Sequence, residues 1–166
     1  MRDWWTAVDS AEYERRADVM VKQAESFSVH GVNLKGKLTC GENIADLGGL
    51  RLAYSALKKH TDAYRKENGE DPPLINGFTV DQRFFLAWSQ CWRENARKER
   101  ALQLITIDPH GPKYDGISNL FFFLICTFSE WRCNGPLSNM PEFYSAFGIA
   151  EGSAMYRSPD SRVDIW

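Results

Sequence analysis

The sequence has no excess of positive charge. Its 20 Lys plus Arg stand against 22 Asp plus Glu, for a formal net charge of −2 and a pI of about 5.9. A polyanion therefore finds no electrostatic footing, and no nucleic-acid partner is expected. Cys40, Cys91, Cys126 and Cys133 contain no Cys-x-x-Cys pair, so neither a zinc ribbon nor a redox dithiol is suggested. They can be free thiols or form up to two bridges. No long apolar run occurs. The longest, residues 120–128, has nine residues with the polar Thr127 among them, where a helix crossing a bilayer needs about 20. Met1 leads into Arg2-Asp3-Trp4-Trp5, which does not read as a signal peptide. The chain is read as soluble, or as part of something soluble. Histidine is scarce as well. His30, His60 and His110 are the only three, and no two are four apart.

What is present is ordinary globular material. With 166 residues the chain is about one domain by length. At 43% apolar and 25% charged residues, with Trp 6, Tyr 6 and Phe 10, it is not a disordered chain. Apolar residues Ala17, Val21, Ala24 and Phe27 recur at helical steps, with Thr6 and Asp9 as candidate caps, and predict a helix over 6–27. A Gly-punctuated loop with a possible short extended piece follows at 29–39. A second helix is expected over 41–67. Its first half carries Ile44, Ala45, Leu47, Leu50, Leu52, Ala53, Ala56 and Leu57 around most of its circumference and should be buried. Residues 69–77, with Pro72 and Pro73, read as a loop. Thr79 with Gln82 three residues on opens a third helix with a capping box. Residues 102–108 read as a connection. Asn139 is the candidate N-cap and Gly148 the stop of a last helix. The fold class is mainly α.

The informative stretch is Gly41-Glu42-Asn43-Ile44-Ala45-Asp46-Leu47-Gly48-Gly49. Glu42 and Asp46 are four apart, hence on one helical face, within the apolar half of the helix. Burying two like charges is costly unless cations or hydrogen-bond donors meet them. Gly48 and Gly49 each cost a helix about 1 kcal/mol relative to Ala, so a close backbone approach is expected there. Two readings stay open on the residues alone. Glu42 can be a first-turn acid favoured by the helix dipole with Asp46 a solvated neighbour. Alternatively, Glu42 is a metal ligand and Asp46 orients a ligating histidine.

Glu42-Asn43-Ile44-Ala45-Asp46-Leu47-Gly48-Gly49 resembles the third-ligand motif of the neprilysin and endothelin-converting-enzyme family of zinc metallopeptidases. Arg2-Asp3-Trp4-Trp5, Phe84-Phe85-Leu86-Ala87-Trp88-Ser89-Gln90 with Trp92, Asp108-Pro109-His110, Asn134-Gly135-Pro136-Leu137-Ser138-Asn139, Pro141-Glu142-Phe143 and Trp166 also resemble family segments. The resemblance implies that the chain is the C-terminal portion of a zincin-like catalytic domain, incomplete at residues 1–166. It implies Glu42 as a zinc ligand and Asp46 as the partner of a zinc-binding histidine. His110 would stabilise the oxyanion, and Arg132 would bind a substrate carbonyl or carboxylate. It further implies peptide substrates, one zinc ion in the complete domain, and a place outside the cytoplasm, secreted or as a membrane-anchored ectodomain.

Two departures from the family pattern follow. The His-Glu-x-x-His helix, which carries two zinc ligands and the general base, is absent from the sequence. Tight zinc binding and peptide cleavage by this chain alone are therefore not expected, and the alternative reading is a non-catalytic derivative acting as a binding or decoy protein. Second, residues 115–131 interrupt a pattern that would otherwise run Lys113-Tyr114-Arg132 and leave His110 and Arg132 22 positions apart. This Phe-rich block reads as a non-family insert, with the signature of a translated unspliced intron, since pyrimidine tracts read in frame as Phe, Leu and Ser. Such a block would put the His110 and Arg132 roles in doubt by separating them. His30, His60 and the Lys58-Lys59-His60 run are assigned to surface, and Trp88 and Trp92 to packing.

Overall fold

Thr6 starts the first helix as expected. In the computed structural model, which describes residues 4–92, 96–111 and 130–165, its hydroxyl oxygen accepts the Asp9 N–H at 3.1 Å and α1 runs Ala7–Glu25. Ala17, Met20, Val21, Gln23 and Ala24 form its buried stripe, the spacing that aligns side chains on one face. Glu12 on the wet side bridges Arg15 and Arg16. The extended piece is a minimal hairpin, β1 Ser28–Val29 against β2 Val32–Asn33. Its turn places His30 at φ 51° and Gly31 at φ 82°, the two left-handed residues that a two-residue hairpin turn demands.

Helix α2 spans Gly36–Asn68, 33 residues, or about 50 Å. It begins five residues earlier than the sequence reading placed it. No side chain caps its start, so the local signal is missing. Gly36 is small for a tertiary reason: a side-chain carbon there would collide with the Val21 carbonyl of α1. Gly69, at φ 74°, ends the helix by giving its N–H to the Arg65 carbonyl at 2.8 Å, the usual left-handed stop.

The expectation that the first half of α2 is buried all round is corrected. Ile44, Leu47, Gly48, Leu50 and Tyr54 are buried, but Ala45, Gly49, Ala53 and Ala56 are exposed and Leu52 is 75% exposed. The described residues pack against one side of the helix only. A carbon added at Gly49 would meet nothing within 4 Å, so the close approach expected at that glycine is not found among them.

Helix α3, Val80–Cys91, carries the full capping box: the Gln82 N–H bonds the Thr79 hydroxyl oxygen at 3.1 Å, and the Gln82 carboxamide oxygen accepts the Thr79 N–H at 3.0 Å. Phe85, 1% exposed, sits among Tyr54, Phe84 and Phe143 at centroid distances of 5.3–5.5 Å. Of residues 102–108, read as a connection, all but Asp108 instead belong to helix α4, Lys98–Ile107, which buries Ala101 and Ile105. Its cap, Arg97, makes no side-chain capping bond, and its apolar stripe is short, so the sequence offered little.

After a π-helical turn at Glu130–Asn134 come α5, Gly135–Leu137, and α6, Pro141–Phe147. Gly148 stops α6 at φ 65°, as read. Asn139 is not its cap; Met140 is. Asn139 is fully buried and spends its carboxamide on tertiary bonds. It donates to Gln23 Oε1 at 2.8 Å and to the Gly135 carbonyl at 2.7 Å, and accepts the Val163 N–H at 2.8 Å. Three distant segments are thereby joined without an unsatisfied polar atom. Cys40, Cys91 and Cys133 are free thiols; Cys126 and most of block 115–131 lie outside the described residues. No helix among those described is long and apolar enough to cross a membrane.

Candidate active site

The second and third turns of α2 carry the acidic pair. Glu42 and Asp46 face the same way, and each meets one partner from the chain after α4. His110 places Nε2 at 3.2 Å from Glu42 Oε2. Arg132 grips Asp46 with two parallel bonds, Nε to Oδ2 and Nη2 to Oδ1, both 2.8 Å. The fork geometry of guanidinium and carboxylate makes this the strong form of a charged pair. Asp46 is therefore no solvated neighbour: its side chain is 13% exposed and that of Arg132 7%. His110 and Glu42 are more open, at 45% and 44%.

The four sequence-predicted residues are thus brought together, although His110 and Arg132 lie far apart in number. The fold does this by running the Asp108-Pro109-His110 corner and the π turn against the same face of α2. His110 is held from behind. Asp108 Oδ1 accepts both the His110 backbone N–H at 2.9 Å and ring Nδ1–H at 2.8 Å. Partial burial works against charge on Asp108, but these two bonds, with Arg132 further off, hold its carboxyl below the usual carboxylate range. An ionised Asp108 accepts from the ring and so favours the tautomer with the proton on Nδ1.

Sequence reasoning missed several contributors. Trp92, assigned to packing, lies under the Arg132 guanidinium at 3.6 Å from ring centroid to Cζ, within cation–π range. Trp88 donates its indole N–H to the Arg132 carbonyl at 3.2 Å. Asn43, between the two acids in the motif, accepts the Trp131 indole N–H at 2.8 Å. The Phe-Phe-Leu…Trp segment was the available signal for the first two. Nothing local signalled the third.

The sequence model of peptidase family M13 matches residues 1–122 and 124–163. The chain belongs to peptidase family M13. It is 32% identical to Neprilysin-1 of Caenorhabditis elegans over 170 residues, covering 100% of this chain and 20% of that protein. It is 33% identical to human endothelin-converting enzyme 1 over 167 residues, covering 100% and 19%. Among solved structures, the Mycobacterium tuberculosis zinc metalloprotease Zmp1 with an inhibitor superimposes with a TM-score of 0.80 at 34% identity, covering 100% of this chain and 23% of that one. The chain thus spans about one fifth of the curated relatives it matches. The mainly helical architecture is that of a segment of an M13 metalloprotease domain.

The donor set of the described residues does not by itself make the zinc site that the family implies. A catalytic zinc takes three protein ligands and a water. Among the described residues no group of three His, Cys, Asp or Glu side chains converges to hold a metal ion. Glu42 is a single carboxylate, and the imidazole beside it is tied to Asp108 through its other nitrogen.

Proposed function

We propose that this chain is the part of a zinc metalloendopeptidase domain that supplies one zinc ligand and the groups that hold a peptide substrate. The observation that supports the reading is the pairing on α2: Glu42 with His110, and Asp46 with Arg132 one turn on. Glu42 is the ligand this chain contributes. The remaining ligands and the general base must come from a His-Glu-x-x-His helix that these 166 residues do not contain. Zinc tight enough to survive dialysis, and peptide cleavage, are accordingly properties of the larger assembly and not of this chain alone.

The chain's own residues have definable tasks. Arg132 commits two of its five N–H donors to Asp46, and among the described residues no further partner claims the other three, the donors offered to a substrate carbonyl or carboxylate. Asp46 has lone pairs left after those bonds and can still accept from a histidine. His110, held from behind by Asp108, turns its Nε2 into the site and is the group placed to meet a developing oxyanion. Residues 115–131 remain, on this reading, an insert in the pattern, and none of Glu42, Asp46, His110 and Arg132 lies within it.

The test is the complete transcript together with a cleavage assay. An in-frame His-Glu-x-x-His upstream of Met1 is expected, and the longer protein should cleave a fluorogenic peptide in a chelator-sensitive way. Glu42→Gln should abolish that activity, and Asp46→Ala should lower metal affinity or activity by about 10–100-fold. Absence of the motif from every transcript would instead favour a binding or decoy derivative. Chelator-sensitive cleavage by the 166-residue chain alone would overturn the division of labour proposed here.

A further inference from the structure

Trp131 stands at the end of the block that the sequence sets apart from the family pattern, yet it is 3% exposed and is surrounded by the site. Its Nε1–H donates to Asn43 Oδ1 at 2.8 Å. Asn43 is itself buried, 2% exposed, and passes the connection on, Nδ2–H to Thr39 Oγ1 at 2.9 Å. One edge of the indole lies against Gly111 and the other against Gly135, so closely that a side-chain carbon on either glycine would collide with the ring. Phe27 packs edge-on at a centroid distance of 5.1 Å.

The neighbours of these contacts are the point. Asn43 follows Glu42, Gly111 follows His110, and Arg132 follows Trp131 itself. One rigid ring therefore touches the residues next to two of the four site residues and belongs to the residue next to a third, Arg132, which binds the fourth, Asp46. The π-helical turn at Glu130–Asn134 lets consecutive residues, Trp131 and Arg132, both reach α2, at Asn43 and Asp46. A hydrogen bond between two side chains almost fully removed from water has no solvent partner to exchange for, so its loss strands a buried acceptor.

We propose that Trp131 is a positioning residue of the peptidase site. Its indole N–H, through Asn43, sets the separation between the α2 turn carrying Glu42 and Asp46 and the segments carrying His110 and Arg132. The functional meaning rests on the peptidase reading above. The geometric claim does not, and it places Trp131 on the folded side of the boundary with the interrupting block.

The experiment uses the 166-residue chain, metal-free and 15N-labelled. Hydrogen exchange is followed at the Trp131 indole N–H and the Arg132 Nε–H, with the Phe85 backbone amide as a remote control. In the parent chain the Trp131 indole should exchange far more slowly than that of Trp4, which is exposed. In Trp131→Phe, which keeps a ring but has no N–H, the Arg132 Nε–H should exchange about fivefold faster or more. Asn43→Ala should do the same, and the double variant should add nothing further. Equal exchange of the Trp131 and Trp4 indoles in the parent would overturn the proposal without any variant. So would an unchanged Arg132 Nε–H rate in Trp131→Phe, or acceleration of the Phe85 amide to the same degree, which marks general loosening. None of these readouts needs zinc or activity, so this proposal and the peptidase reading can fail separately.

Discussion

Replacing Asp46 by Asn should cost the fold about 3 kcal/mol, the low end of the range for breaking a buried ion pair by removing one partner. The choice of that end follows from the surroundings. Both side chains are nearly dry, at 13% and 7% exposure, so water cannot readily take over the Arg132 charge. Two features soften the loss. Asn keeps one oxygen able to accept from the guanidinium, and the Trp92 face stays 3.6 Å from Arg132 Cζ, an attraction of about 0.5–2 kcal/mol. For a chain of this size such a loss lowers Tm by about 6–12 °C. Urea unfolding followed by tryptophan fluorescence and by circular dichroism reads it directly. Adding Arg132→Met to Asp46→Asn removes the stranded charge and should restore most of the stability, since apolar replacement of a buried pair is often neutral. If Asp46→Asn stays within about 1 kcal/mol of the parent, the pair behaves as a surface pair, and the argument that Arg132 is held ready by Asp46 fails.

Further outcomes follow from the packing and the charges. Phe85→Ala should destabilise by about 3–5 kcal/mol, because the ring is 1% exposed among three other aromatics. Leu52→Ser on the open face of α2 should change the urea midpoint of this chain by no more than about 0.5 kcal/mol equivalent; a large loss would show that this face is covered. Thr79→Ala, which removes the hydroxyl half of the capping box and leaves the backbone N–H to Gln82 in place, should cost about 1 kcal/mol in the same assay. Hydrogen bonds from Arg15 and Arg16 draw the Glu12 carboxyl from its ordinary 4.5 down to about 2. Because the folded value is the lower one, the stabilisation is present above pH 4.5 and is lost as pH falls toward 2. The difference between the parent and Glu12→Gln should shrink over that window and shrink further in high salt. A carboxyl 13C titration placing Glu12 near 4.5 would refute it.

How far the sequence carried can be judged from bonds of different reach. The Thr79–Gln82 capping box and the Thr6 cap were legible because donor and acceptor lie three residues apart, so pattern and bond are the same fact. The start of α2 and the whole of α4 were not, since neither has a side-chain cap and Gly36 answers to Val21 rather than to its neighbours. The exposed side of α2 misled for a related reason. Apolar periodicity states that a face is fit to be covered, not that this chain covers it. At the site, Glu42 and Asp46 were legible as an odd pair, two acids and two glycines on an apolar helix, whereas His110 and Arg132 were named through the resemblance for other roles and their pairing with the acids was not foreseen. Asn43 was hidden in plain view. A buried carboxamide needs a donor, and that donor is an indole 88 residues away, contributed by a residue that the sequence pattern assigned to the interrupting block. The physical order therefore reverses the reading order. Asp46 meets its partner where Trp131 and Arg132, adjacent in the chain, are turned by the same π-helical step onto Asn43 and Asp46, so that pair sits at the join between the interrupting block and the fold.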